Sequence, residues 1–181
     1  MNKIAGVLFF LSGTTILLGI LTAEIFYPTT YSISLNMIST LGATPPPKSI
    51  IHEPSAEIFD NALRLAGMMI MVGTYFLYKL FGKKLLTLSL SILGLGTFGV
   101  GIFPAYHALA HPMVALLAFL GGGISAILST GVTKNPFASL AIVYGMVSLI
   151  ILSLGVMLPH EIVPILGAGG TERWIIYPVM L

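Results

Sequence analysis

Asp60 and Arg64 stand four residues apart in an otherwise apolar stretch, with Asn61 beside the acid. On a helix this spacing puts both side chains on one face. Two readings follow. Either the two neutralise each other near a membrane interface, or Arg64 holds an anionic group, such as a lipid headgroup, while Asp60 orients it. His107 and His111 form an H-x-x-x-H spacing. On a continuous helix both imidazoles would face one way and could share a metal. Pro112, however, suits the first position of a helix, which leaves His107 in the connector before it. A metal would need a third ligand, and Asp60, Glu24 and Glu172 are the candidates. A haem on the two histidines is a further reading. A hydrogen-bonded interfacial histidine pair is the plainest one.

Glu172 and Arg173 open the last apolar stretch. Glu172 in a first helical turn suits the helix dipole, and Arg173 has the acids of the other segments as partners. Trp174 and Tyr177 read as interfacial anchors. Asn36 and Ser39 set short polar side chains in the apolar frame Ser34-Leu35-Asn36-Met37-Ile38-Ser39-Thr40-Leu41-Gly42, which suits a re-entrant or interfacial helix capped at Gly42. No G-x-S-x-G elbow, Walker motif or H-E-x-x-H occurs, so no nucleophile or zinc-protease motif supports an enzyme.

The frame that positions these residues follows from composition. Of 181 residues 56% are hydrophobic and only 8% charged, against about 25% charged in a soluble domain. Mean hydropathy is +1.01. A soluble fold of this size leaves about 30% of its unfolded surface in water and has too little polar surface here to cover it. A soluble enzyme and a disordered chain are thereby excluded, and a net charge of +2 gives nucleic acid nothing to hold. The chain has no cysteine, which removes disulfides, thiolate metal sites and cysteine nucleophiles.

A spanning helix needs about 20 apolar residues. Spans are expected at about residues 4–26, 55–81, 85–103, 112–130 and 137–158, followed by a short or partial sixth from 172. The first is read as a span and not a secretory signal, because its apolar run is long and no small-x-small site follows it. Residues 27–54, with Pro45-Pro46-Pro47, belong outside the hydrocarbon or on the bundle mouth. Ser55 is the expected N-cap of the second span, and Gly82-Lys83-Lys84 its tight reversal. The glycines of the third and fourth spans suit close helix packing. The fold class is all-α: one polytopic transmembrane helix bundle over residues 1–181.

Alternating spans place Lys3, Lys79, Lys83, Lys84 and Lys134 at one end. By the positive-inside rule that end, and the N-terminus, is cytoplasmic in the cell membrane. All six acids and all four histidines fall at the other end. Ionisable groups at span ends are costly and tend to be functional, so a polar site is expected at the extracytoplasmic mouth.

Four segments carry a resemblance. They are Tyr31-Ser32 with Asn36, Ile38-Ser39 and Leu41-Gly42; Ile58-Phe59-Asp60-Asn61 with Gly67; Gly101-Ile102-Phe103-Pro104 followed by a histidine; and Gly170, Glu172-Arg173 and Tyr177-Pro178. In order and spacing the chain resembles the DUF998 family of small, mostly six-span prokaryotic membrane proteins. The resemblance implies the architecture and no activity. Family members usually carry the last helix across the membrane, whereas here the sequence reaches only Leu181.

The leading functional expectation is a membrane protein that binds a lipid or amphiphile at its extracytoplasmic face, or serves as an accessory subunit of a membrane complex. Its site set is Asn36, Ser39, Asp60, Asn61, Arg64, His107, His111, Glu172 and Arg173. Membrane lipid, a membrane-protein partner or a second copy are the expected partners. A metal-dependent intramembrane hydrolase or transferase, with His107 and His111 as ligands, and a haem-bearing electron-transfer subunit are the alternatives. No cofactor is specified.

Overall fold

Five runs of apolar residues become five long helices in the computed structural model, which describes residues 2–180. They are α1 (Asn2–Ile25), α2 (Ser55–Phe81), α3 (Lys84–Ile102), α4 (Ala110–Leu128) and α5 (Phe137–Met157). Each is long and apolar enough to cross a membrane, as expected of a multi-pass membrane protein. Two shorter helices follow, α6 (Pro159–Leu166) and α7 (Ala168–Met180). Large apolar side chains point outward: Phe10 is 73% exposed and Phe137 71%. Such surface is stable against lipid and would be costly against water.

Each helix packs on the next, α1 on α2 through to α4 on α5, and α7 lies against α5 and α4. Small residues set the separation. A Cβ on Gly67 would lie 2.6 Å from the backbone nitrogen of Phe98, and one on Gly121 2.6 Å from that of Leu93. Lipid supplies little hydrophobic drive between helices, so close backbone approach and its dispersion contacts replace it. Buried hydroxyls help. Ser148 of α5 donates to the Ile175 carbonyl of α7 at 2.7 Å.

The turn between α2 and α3 forms where expected. Gly82 adopts the left-handed conformation with φ 62°, and its N–H donates to the Tyr78 carbonyl at 2.9 Å. A side chain there meets no neighbour, so Gly82→Ala isolates the backbone cost. It is expected to lower stability by about 1 kcal/mol, with Gly82→Asn milder, read as unfolding midpoints in mixed micelles.

Several ends differ from the sequence reading. Pro54, not Ser55, is the cap residue of α2, and no side chain caps from that position. Instead a Glu53 carboxylate oxygen accepts from the Glu57 N–H at 3.0 Å. Helix α4 begins at Ala110, so Pro112 is its third residue, still within the turn whose N–H groups need no helical acceptor. Gly42 is right-handed, with φ −79°. It is small because a Cβ would lie 2.7 Å from Asp60 Oδ1.

Helix α6 escapes a reading based on long apolar runs. Its eight residues, about 12 Å long, start at Pro159 and stop at Gly167, whose φ is +75°. Helix α7 starts four residues before the expected Glu172 and runs roughly 20 Å, less than the about 30 Å of hydrocarbon. Its described end lies beside the middle of α1, where a Cβ on Gly13 would be 2.7 Å from the Met180 carbonyl oxygen.

Candidate functional site

The acidic end of the bundle is built on Arg173. The second and third residues of α7 are the glycines Gly169 and Gly170, and the loop after α1 docks on them. The Gly169 and Gly170 N–H groups both donate to the Ser34 carbonyl, at 2.9 and 3.2 Å. That carbonyl takes the place at the helix N-terminus that Glu172 was expected to serve. Arg173, one turn on, then reaches back into the loop. Its Nη1 donates to the carbonyls of Ile33, Asn36 and Gly169 at 2.7, 3.0 and 3.1 Å. Its Nη2 donates to Glu24 Oε1 of α1 at 2.7 Å and to the Tyr31 hydroxyl at 3.0 Å.

Tyr31 in turn donates to the Met37 carbonyl at 2.9 Å. Burial pushes its phenol up to about 12, so the hydroxyl keeps its proton. Asn36 closes the loop on itself: its Oδ1 accepts from the Ser32 N–H at 2.9 Å, and its own N–H donates to the Ser32 carbonyl at 2.8 Å. This is a side-chain-stabilised turn. Arg173 is 5% exposed. Five donor contacts commit its guanidinium to the fold, and Asn36 is committed likewise. These two expected ligand residues act as a clamp joining α1, the loop and α7.

The clamp holds a buried 3-10 turn, Ile38–Leu41, against the helices. Ile38 and Leu41 join Ile16, Ile20, Phe59 and Leu63 in the core. The Ser39 N–H donates to Glu172 Oε2 at 3.2 Å. Ser39 and Glu172 together line a central cavity of about 830 Å³ that extends to Ser129 and Thr133 at the basic end. Its walls are mainly apolar side chains of α1 to α4 and α7. His111 and Thr97 also reach it, as does Tyr177, which therefore faces inward and not the interface. Trp174 is exposed, as an anchor should be.

A second, smaller recess of about 270 Å³ opens between the acidic-end termini of α2 and α3. Glu53, Glu57, Asp60, Arg64 and Tyr106 line it, with Gly42 at its wall. Asp60 and Arg64 share a face as the spacing requires, yet no ion pair joins them. Arg64 Nε donates to the Gly101 carbonyl at 2.6 Å, and Nη1 to Asn61 Oδ1 at 3.1 Å. A side chain on Gly101 would block this, since its Cβ would lie 2.9 Å from Arg64 Cγ. Asp60 is 8% exposed, and its Oδ1 has no hydrogen-bond partner among the described residues.

The His111 N–H donates to the His107 carbonyl at 3.0 Å, but the two rings make different contacts. His107 sits before α4 and packs on the rings of Phe103 and Tyr106. A ring nitrogen of His111, Nδ1, bonds the Phe103 carbonyl at 2.8 Å. Among the described residues no group of three or more histidine, aspartate and glutamate side chains is placed to hold a metal ion.

The nine expected residues thus divide. Ser39, His111 and Glu172 meet at the cavity. Asp60 and Arg64 line the recess, and Asn61 stands outside its lining as an acceptor for Arg64. Asn36 and Arg173 build the clamp, and His107 stacks apart. An acid of another segment as the partner of Arg173 is one of the sequence readings, and Glu24 is that acid. Sequence reasoning missed Tyr31 as a clamp member and Gly169 as the platform. Tyr31 was visible in a quoted motif, but nothing local tied it to Arg173.

The segments that carry the family resemblance are those that meet here. The chain belongs to the DUF998 family: the model of that family, described as a protein of unknown function, matches residues 4–181. No curated protein and no solved structure matches it.

Proposed function

We propose that this protein binds a membrane lipid or related amphiphile from the extracytoplasmic side, with the apolar tail in the central cavity and a donor-bearing head atom on Glu172. One observation carries this reading. A carboxylate and a serine stand at the acidic end of an otherwise mainly apolar cavity of about 830 Å³. Ligand sites of about 300–1,000 Å³ combine such walls with a few fixed polar groups. The Ser39 N–H orients the carboxylate, and a ligand hydroxyl or ammonium is the complementary partner. The exposed lysines Lys79, Lys83, Lys84 and Lys134 at the opposite end support a cell-membrane orientation with that end, and the N-terminus, in the cytoplasm. The placement of His107 and His111 gives the metal and haem readings no comparable support.

The full chain purified in mild detergent is expected to retain a lipid adduct in native mass spectrometry. Glu172→Gln keeps the shape and removes the charge, and should weaken retention roughly tenfold, since a charge-assisted hydrogen bond is about twice as strong as a neutral one. Ala115→Phe, which fills the cavity wall, should abolish it. Equal adducts on wild type and both folded variants would overturn the proposal.

A further inference from the structure

The recess beside Asp60 lies apart from the central cavity, because Phe59 faces the cavity and Asp60 the recess. We infer that this recess is a second site, for a zwitterion whose primary ammonium meets Asp60 and whose anionic group meets Arg64. Three observations carry it.

First, Asp60 is more than nine-tenths buried and Oδ1 has no donor among the described residues. A buried carboxylate oxygen without a partner is expensive. The obvious partner, Arg64, is turned away to Gly101 and Asn61. Second, that diversion leaves an anion and a cation one helical turn apart along the α2 wall of one recess and unpaired with each other. A ligand carrying both signs is complementary to that layout, whereas a simple anion or a simple cation would face one like charge. Third, Glu53 and Glu57 stand at the same recess as Asp60. The lining therefore holds three acids to one arginine, which favours the ammonium end on the α2 N-terminal side. A volume of about 270 Å³ suits a small head and no acyl chain.

The chemistry required is an N–H donor. A primary ammonium supplies three, and a quaternary trimethylammonium supplies none. Phosphoethanolamine-type chemistry therefore fits and phosphocholine-type chemistry does not. The source is either a lipid headgroup at the outer leaflet or a soluble zwitterion.

The test uses the full chain in nanodiscs and in detergent. Vesicle-derived phosphatidylethanolamine is compared with phosphatidylcholine of the same acyl chains, and free phosphoethanolamine with free phosphocholine, by thermal shift and native mass spectrometry. The ethanolamine form is expected to bind roughly tenfold or more tightly than the choline form. Preference in the lipid pair alone assigns a headgroup site. Preference in the free pair as well assigns a soluble ligand. Asp60→Asn should reduce the preference to near unity without unfolding the protein. Ile51→Trp, at an exposed rim position, narrows the recess without touching helix packing and should abolish binding of either form. Equal binding of ethanolamine and choline forms, or an unchanged preference in Ile51→Trp, overturns the inference. Glu172→Gln should leave this preference intact, which separates the failure of this site from failure of the cavity reading.

Discussion

Replacing Arg173 with methionine is expected to destabilise the protein by about 3–5 kcal/mol, the range for breaking a buried ion pair by removing one partner. The arginine and Glu24 side chains are 6% and 16% exposed and 2.7 Å apart. Removing the cation leaves a largely desolvated carboxylate on α1 without its counter-charge. The carbonyls of Ile33 and Asn36 lose their guanidinium donor as well. Methionine preserves much of the side-chain bulk, so the loss reads polar satisfaction and not a cavity. Arg173→Lys should recover less than half, because one ammonium cannot serve both the carbonyl set and Glu24 as the planar fork does. Glu24→Gln keeps an acceptor and should cost about 1–2 kcal/mol. The double variant should be less than additive, since both changes remove one shared interaction. Unfolding midpoints in mixed micelles, with limited proteolysis of residues 27–54, measure this. A methionine variant within 1 kcal/mol of wild type, with a protease-resistant loop, would show that the clamp does not hold the acidic end of the bundle together.

Arg173 also marks where sequence reading ran out. The five spans were legible because hydropathy is a local property, and Ser55–Phe81 was located to the residue. The reversal at Gly82 was legible because glycine and adjacent lysines are a local turn signal. The spacing of Asp60 and Arg64 correctly placed them on one face. It could not show that the Gly101 carbonyl, 37 residues away, claims the guanidinium. Three of the five partners of Arg173 are backbone carbonyls, two of them 137 and 140 residues distant, and a backbone carbonyl has no residue-type signature. An arginine among acids reads as a ligand-binding cation until its geometry shows that the fold already uses it. Helix α6 was hidden for a different reason: eight residues bracketed by Pro159 and Gly167 give too short a periodic pattern to detect.

The glycines opening α7 show the same limit and supply the second large effect. Gly167-Ala168-Gly169-Gly170 reads as a glycine-rich connection, because glycine disfavours helix by about 1 kcal/mol relative to alanine. Here three of the four residues are helical, and Gly169 is present for clearance. A Cβ on Gly169 would collide with the backbone oxygen of Asn36 and lie 2.5 Å from that of Ile33. These are main-chain atoms in a turn that Arg173 and Tyr31 already fix, so they cannot swing aside as a side-chain tip can. Gly170 has only the Leu166 Cβ, at 3.6 Å, near its added carbon, an ordinary contact. The two adjacent glycines should therefore respond oppositely. Gly169→Ala is expected to cost about 2–3 kcal/mol, at the upper end for overpacking, and to expose residues 27–54 to protease much as Arg173→Met does. Gly170→Ala should be neutral or stabilise by up to about 1 kcal/mol through helix propensity. Combining Gly169→Ala with Arg173→Met should add little beyond either alone, because both undock the same loop from the same helix. If Gly169→Ala is instead as well tolerated as Gly170→Ala, the loop does not rest on α7. Ser39 would then have no fixed position from which to orient Glu172, and the polar end of the central cavity would lose its geometric basis.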